Sequence, residues 1–491
     1  MNKPHMRLRL NCIVLGGMVA LGVVVICINY YEMRELRKAV ETNARAATIN
    51  KGAGVKSTGY YVWIHPENRP HLHHVTTVFQ RVGYELSQVG WHVMWSHDYP
   101  FGSRRAEMMN LKENQKVNHF AGTGYFTNKA SLAGANFSFM PKSFRLPQES
   151  ALFKKEAVAH PEELWVMKSN EHRGIKVLRS PDLKTRNSFL QQFIRHPLLI
   201  SGRKFDIGLY VVITSVDPLR VYVYNEEVLL RFCAKDYEPF DPDNVDSYVV
   251  GDDYTPTWEI PSLQQLYNRN KLSHKETLSV YLQGQGHDTH QLWSDMYKVV
   301  VMVVLKYESL VAKATRSFAD PKHFFELVRF DFVIDNKLRV WLMEVNMSPN
   351  LSSAHFPPNA VLYEQVIFNL FSLVGVAKST HNLNNQLSGN MEVSDRDVQV
   401  ATSECLTSTC DDCSSLSCRL CYHCRSQQLT RVLKSAFLEH VHRRSYKRLF
   451  PPPVDHEKRW GSLSPGNYSD TNKLIIMWFM EKCKQDTHWC T

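Results

Sequence analysis

The stretch WLMEVNMSPNL, Trp341 to Leu351, is an apolar strand that ends in Glu, Val, Asn. Side chains alternate along a strand with period two, so Glu344 and Asn346 share one face. Just upstream, FELVRFDFVID, Phe325 to Asp335, alternates in the same way around Asp331, and the DNK between the two runs reads as a hairpin turn. A loop of about two or four residues brings Asp331 onto the face of Glu344 and Asn346. Two carboxylates and an amide carbonyl are hard oxygen ligands, the set that suits Mg²⁺ carrying substrate phosphates. Two polar strand ends facing water are the plainer alternative.

The rest of the chain is large enough to build such a site. Its 491 residues allow about two to four domains or one multi-lobed unit, and 44% hydrophobic with 22% charged residues excludes wholesale disorder. A net charge of +10 biases the protein toward acidic partners without naming one. Asn11 to Tyr31 carries no charged residue and as a helix would span roughly 30 Å, enough for a transmembrane signal-anchor. A small-x-small site at Ala44 to Ala46 lies too far downstream for cleavage. Basic residues nearly balance across this segment, with Lys3, Arg7 and Arg9 before it and Arg34, Arg37, Lys38 and Arg45 after it.

Cysteine usage tips the orientation. Cys405, Cys410, Cys413, Cys418, Cys421, Cys424, Cys483 and Cys490 form an even, dense set beyond the anchor, the pattern of a disulfide framework in an oxidising compartment. CDDC and CRLC also suit zinc, but only four residues separate these pairs, against roughly a dozen or more in common two-knuckle sites. The expectation is a single-pass type II protein with a lumenal or extracellular body, and a cytosolic body associated with microtubules as the alternative. Sequons at Asn136 and Asn467 would be usable there.

Composition divides the chain into a tail (1–10), the anchor (11–31), a polar stalk (32–59), an α/β or α+β body (60–376), a polar linker (377–404), the cysteine-rich segment (405–424) and a basic helical tail (425–491). LTRVLKSAFLEHVHRRSYKRLF in that tail reads as an amphipathic helix ending before PPP, its basic face either docked on a membrane or acidic partner or simply solvated.

Several segments could wall a nucleotide site. LWVMKSNEHRGIKVL is strand, polar loop, strand, with Lys168 closing the first strand and Arg173-Gly174 in the loop, a point charge and a close-approach backbone for phosphate. Neither a Walker motif nor a dinucleotide fingerprint is present. A later strand opens with Lys204, Phe205 and Asp206, and the hairpin LRVYVYNEEVLLRF after it carries Arg231.

QKVNHF (Gln115 to Phe120), HPLLISGRKFDIGLYVVITSVDPLRVYVY and RFDFVIDNKLRVWLMEVNMSPNL, taken together and in this order, closely resemble the tubulin tyrosine ligase-like family of ATP-grasp amino-acid ligases. The likeness covers roughly Tyr60 to Val376. It implies a three-lobed ATP-grasp body with ATP and Mg²⁺ as cofactors, and no nucleic-acid partner. It also implies ligation of glutamate to a glutamate side chain on tubulin or another acidic protein, through an acylphosphate. By position, Lys168, Arg173 and Gly174 would contact phosphates, and Gln191, Gln192, Phe193 and Ile194 the adenine. Lys204, Phe205 and Asp206 match the next nucleotide motif, and Asp331, Glu344 and Asn346 the metal ligands. Arg231 matches the arginine that grips the incoming amino acid, with a structural pairing to Glu226 or Glu227 as the alternative.

Two departures stand out. The family commonly carries an arginine two residues after the aspartate of the Lys-Phe-Asp motif, where this chain has Gly208, which cannot supply an anion clamp. SYVVGDDYTPTW, Ser247 to Trp258, lacks the lysine of the family's counterpart and adds Asp252 and Asp253, negative charge close to an anion site. These departures define the alternative reading: a nucleotide-binding protein derived from a ligase but impaired in catalysis. A lumenal ligase with a non-tubulin acceptor is the third.

Overall fold

The computed structural model describes residues 58–64, 66–169, 175–178, 183–377, 392–400, 402–454 and 468–491. The anchor at 11–31, most of the stalk and linker, Arg173, Gly174 and Asn467 fall outside them. Among the described residues, no helix is long and apolar enough to cross a membrane.

Three sheets carry the body, a mixed α/β arrangement consistent with an ATP-grasp-like ligase. The first is parallel: β1 (Gly59–Trp63) lies between β2 (Glu85–Leu86) and β3 (Val93–Ser96), and β3 also pairs with β4 (Lys116–Val117). The second is antiparallel, in the order β5 (Ser143–Leu146), β8 (Ser188–Gln192), β6 (Trp165–Ser169), β7 (Lys176–Leu178). The third has eight strands: β9 (Leu199–Ile200), β10 (Arg203–Val216), β11 (Leu219–Tyr224), β12 (Leu229–Phe232), β13 (Thr255–Pro256), β14 (Glu326–Ile334), β15 (Val340–Met347) and β16 (Tyr446–Phe450).

Strand β10 is the spine of that sheet, and its alternation separates a packing face from a working face. Helix α1 spans His73–Arg81; Phe205, Ile207, Leu209, Val211 and Ile213 point into one core with the long helix α2 (Thr289–Thr315). Asp288 caps α2 by accepting from Gln291 N–H, and Leu292, Trp293, Met296, Val299, Val300, Val303 and Val304 recur at helical spacing on its buried side. Each large apolar side chain buried there contributes about 1.5–3 kcal/mol. Opposite them, Asp206, Gly208, Tyr210 and Val212 occupy the other face. Tyr210 and Val212 there pack with α3 (Ala360–Leu373), α1 and the parallel sheet.

The C-terminal residues differ from a separate helical tail. Helix α4 (Gln427–His442) ends well before the PPP, and Tyr446–Phe450 instead forms β16, pairing antiparallel with β11. Alternating, aromatic YKRLF suits an open sheet edge better than a helix end, and Arg444, with φ +47°, turns the chain between them. Helix α4 is docked through Glu439, which accepts from Arg220 Nε (2.7 Å) and Nη2 (3.0 Å), Thr214 Oγ1 (2.8 Å) and Tyr222 O–H (3.2 Å). Helix α5 (Asp470–Gln485) buries Leu474, Ile475, Trp478 and Phe479 in the α2 core. All eight C-terminal cysteines are paired: Cys405–Cys421, Cys410–Cys418, Cys413–Cys424 and Cys483–Cys490.

Candidate functional site

Register builds the site. Residues 335–339 connect β14 to β15, a connection that differs from the short turn read in the sequence, and a bulge between Asp331 and Phe332 restores the alignment. Asp331 then lies directly opposite Glu344, and Arg329 opposite Asn346. On the other side of β14, Gly208 pairs with Asp331 and Tyr210 with Arg329. Asp331, Glu344 and Asn346 are thereby brought together: Asn346 Nδ2 donates to Asp331 Oδ2 at 2.9 Å and to Glu344 Oε1 at 3.0 Å.

This donor set fits a divalent cation. Asp331 is 2% exposed, and the guanidinium groups of Arg329 and Arg231 supply positive charge that its burial requires. Burial alone would raise the Glu344 carboxyl, but Lys129 at 2.8 Å and the Asn346 amide hold it down at about 2. Glu344 is therefore an anion at any physiological pH. Mg²⁺ held by these two carboxylates, and by the Asn346 amide once it is turned to present its oxygen in place of Nδ2, would supply charge neutralisation for phosphate oxygens.

Two guanidinium groups flank the carboxylates. Arg231 makes a bidentate pair with Asp206, Nε to Oδ1 2.9 Å and Nη2 to Oδ2 2.8 Å, and its Nη2 also reaches Asp331 Oδ2 at 3.2 Å. Pairing with Glu226 or Glu227 is not what the structure shows; Glu227 lies 3.2 Å from His274. Arg329 makes a second fork on Asp331, at 2.6 and 2.7 Å, and that carboxylate raises its affinity for its proton against the effect of burial.

The antiparallel four-stranded sheet supplies the other wall. Lys168 Nζ donates there to Gln191 Oε1 at 2.7 Å, while Lys204, on β10 of the eight-stranded sheet, donates its Nζ to the Tyr248 carbonyl at 2.7 Å. Burial lowers both amines, Lys168 to about 8. Lys168, Gln191, Gln192, Phe193, Ile194, Lys204, Phe205, Asp206, Arg231, Asp331, Glu344 and Asn346 all border one cavity of about 850 Å³, large enough for a nucleotide. Phe205 meets it from the core side, its ring packed 5.3 Å from Phe232. Asp252 also borders it.

The family model for "Tubulin-tyrosine ligase family" matches residues 106–383, more than half of the chain. The chain belongs to that family. It is 40% identical over 444 residues to "Probable tubulin polyglutamylase ttll-15" of Caenorhabditis elegans, covering 86% of this chain and 84% of that protein. It is 30% identical over 308 residues to human "Tubulin monoglutamylase TTLL4", covering 58% of this chain but 25% of that much longer protein. Mouse "Tubulin polyglutamylase TTLL5" is 31% identical over 317 residues, covering 59% of this chain and 23% of that one.

Within this family member, two site residues escaped the reading of the sequence. Lys129 opens a short helix, Lys129–Ala133, whose N-cap Asn128 accepts from Ser131 N–H; no local pattern ties it to Glu344. Arg329 was legible in principle, because period two places it on the face of Asp331.

Proposed function

We propose that the chain is an ATP-dependent, ADP-forming protein-glutamate ligase. The observation that supports this best is the row formed by Asp331, Glu344 and Asn346 at a cavity that Lys168 borders from the four-stranded sheet and Lys204 from β10. In the proposed reaction an acceptor carboxylate attacks the terminal phosphorus of ATP, giving an acylphosphate and ADP. The amine of glutamate then attacks the acyl carbon, phosphate leaves, and the new amide is an isopeptide bond. Lys168 and Lys204 bind phosphate charge, and Glu344, Asp331 and Asn346 hold Mg²⁺. Arg231 orients an anionic carboxylate. No protein nucleophile is needed, so positioning and electrostatics carry the rate. Tubulin is the acceptor suggested by the names of the relatives.

Four disulfides favour a more specific setting: an anchor at 11–31 with the body in an oxidising lumen, where the acceptor is an acidic secretory protein. The deciding assay is transfer of labelled glutamate from ATP-containing mixtures to tubulin and, in parallel, to an acidic secretory-protein fraction. Incorporation that Glu344→Gln abolishes supports the ligase reading. Tight MgATP binding with no transfer to either acceptor favours the catalytically impaired alternative.

A further inference from the structure

Gly208 stands in the middle of a 14-residue strand, on its working face, directly opposite Asp331. A glycine inside a central strand weakens it and marks a place where another group must approach closely. Here that group is a side chain. A Cβ on residue 208 would lie 2.8 Å from Arg329 Cδ, 3.1 Å from Arg329 Nε and 3.2 Å from Asp331 Oδ1. The aliphatic stem of Arg329 thus lies over Gly208 as it crosses diagonally from its own row to reach Asp331. The cavity is bordered by Arg329 and not by Gly208.

We propose that Arg329, passing through the clearance left by Gly208, is the guanidinium that grips the terminal phosphate of a nucleoside triphosphate; this rests on the ATP-dependent reading above. Arg329 Nε and Nη2 are engaged by Asp331, and no partner takes Nη1 among the described residues. The same fork that fixes its orientation ties it to a metal-ligating carboxylate, so it is held rigidly beside the cation that would share the phosphate. Arg231 Nη2, by contrast, is divided between two carboxylates, Asp206 and Asp331, whereas Arg329 is forked by Asp331 alone. A charge-assisted, preorganised donor of this kind discriminates between nucleotides that have the third phosphate and those that lack it. Gly208 and Arg329 form one unit: the strand position gives up its own side chain so that its neighbour can occupy the space.

The test is calorimetric binding of adenosine 5′-[γ-thio]triphosphate and of ADP, each with Mg²⁺, to the full-length chain in detergent. The parent is expected to favour the triphosphate. Arg329→Gln should lose at least about tenfold in triphosphate affinity while ADP affinity stays within about threefold. The exchange variant Gly208→Arg/Arg329→Gly, which moves the guanidinium to the facing strand without crowding it, should recover most of the loss. A folded Arg329→Gln protein that keeps the parent's triphosphate preference overturns the proposal and leaves the ATP reading standing. If that variant does not fold, the exchange variant decides: preference retained supports the proposal, ADP binding without preference overturns it. A parent that binds neither nucleotide removes both readings.

Discussion

Lys129 Nζ lies 2.8 Å from Glu344 Oε2, joining the short 129–133 helix to strand β15. Glu344 is held at about 2, below its ordinary 4.5, so the native state binds this proton less readily than the unfolded chain. The resulting stability is present above the ordinary value and is lost as pH falls from about 4.5 toward 2. Lys129→Gln removes the principal cation and is expected to cost about 1–2 kcal/mol at pH 7 and much less at pH 3. Denaturant midpoints at the two pH values check this; an equal loss at both refutes it.

Lys168 behaves in the opposite sense. Burial, helped by Lys204 and Lys129, lowers the amine to about 8, while Glu344 works against that. A phosphate contact made by Lys168 therefore fades as pH rises through about 8, and MgATP affinity is expected to fall up to about tenfold between pH 7 and 9. Lys168→Arg keeps its charge and should show a flat profile over that range. Between about 8 and 10.5 the unfolded chain binds the proton that the native state has released, so this group's contribution to stability rises with pH while binding weakens. Parallel pH series of binding and of thermal unfolding separate the two trends.

The shared face of Glu344 and Asn346 was legible because period two needs nothing beyond the strand itself. Asp331 needed the bulge at Phe332, which no residue pattern announces. Lys168 and Gln191 could be named as walls, but their hydrogen bond depends on pairing between β6 and β8. Arg329 was missed because the reading weighed Gly208 as a loss along one strand, whereas the compensating group arrives from the next strand. The C-terminal strand was hidden for a related reason: YKRLF continues the helical, basic pattern before it, and only the free edge of β11 makes it a strand.

That edge leads to a prediction about the C-terminal helix. Arg220 and Glu439 are both nearly inaccessible, with side chains 6% and 9% exposed, and Glu439 also satisfies Thr214 and Tyr222. Glu439→Ala strands a buried guanidinium and should cost about 3–5 kcal/mol in chemical unfolding, whereas Arg220→Leu/Glu439→Leu should recover a large part of it. A single-variant loss under about 1 kcal/mol would mean that the clamp does not hold α4 to the sheet.

The disulfides and the surface sequon together test where the body resides. Cys233 is the one unpaired thiol among the described residues, and it is buried. Thiol labelling of the unreduced, denatured chain is therefore expected to leave Cys405 through Cys424, Cys483 and Cys490 unmodified, and reduction should expose all eight. The loops they close are short, with sequence separations of 16, 8, 11 and 7, and closing such loops contributes about 2–3 kcal/mol each where the fold is unstrained. Reduction should accordingly lower the thermal midpoint. Asn136 is exposed, with φ +54° at a chain bend, and can accept a glycan without touching the site, unlike Asn346 between its carboxylates. A body in the lumen predicts protease protection in intact microsomes of a tag after Thr491, together with a glycosidase-sensitive shift that Asn136→Gln removes or reduces. Digestion of the tag with eight labelled thiols and no shift would instead place the site in the cytosol, and would make tubulin the acceptor to pursue.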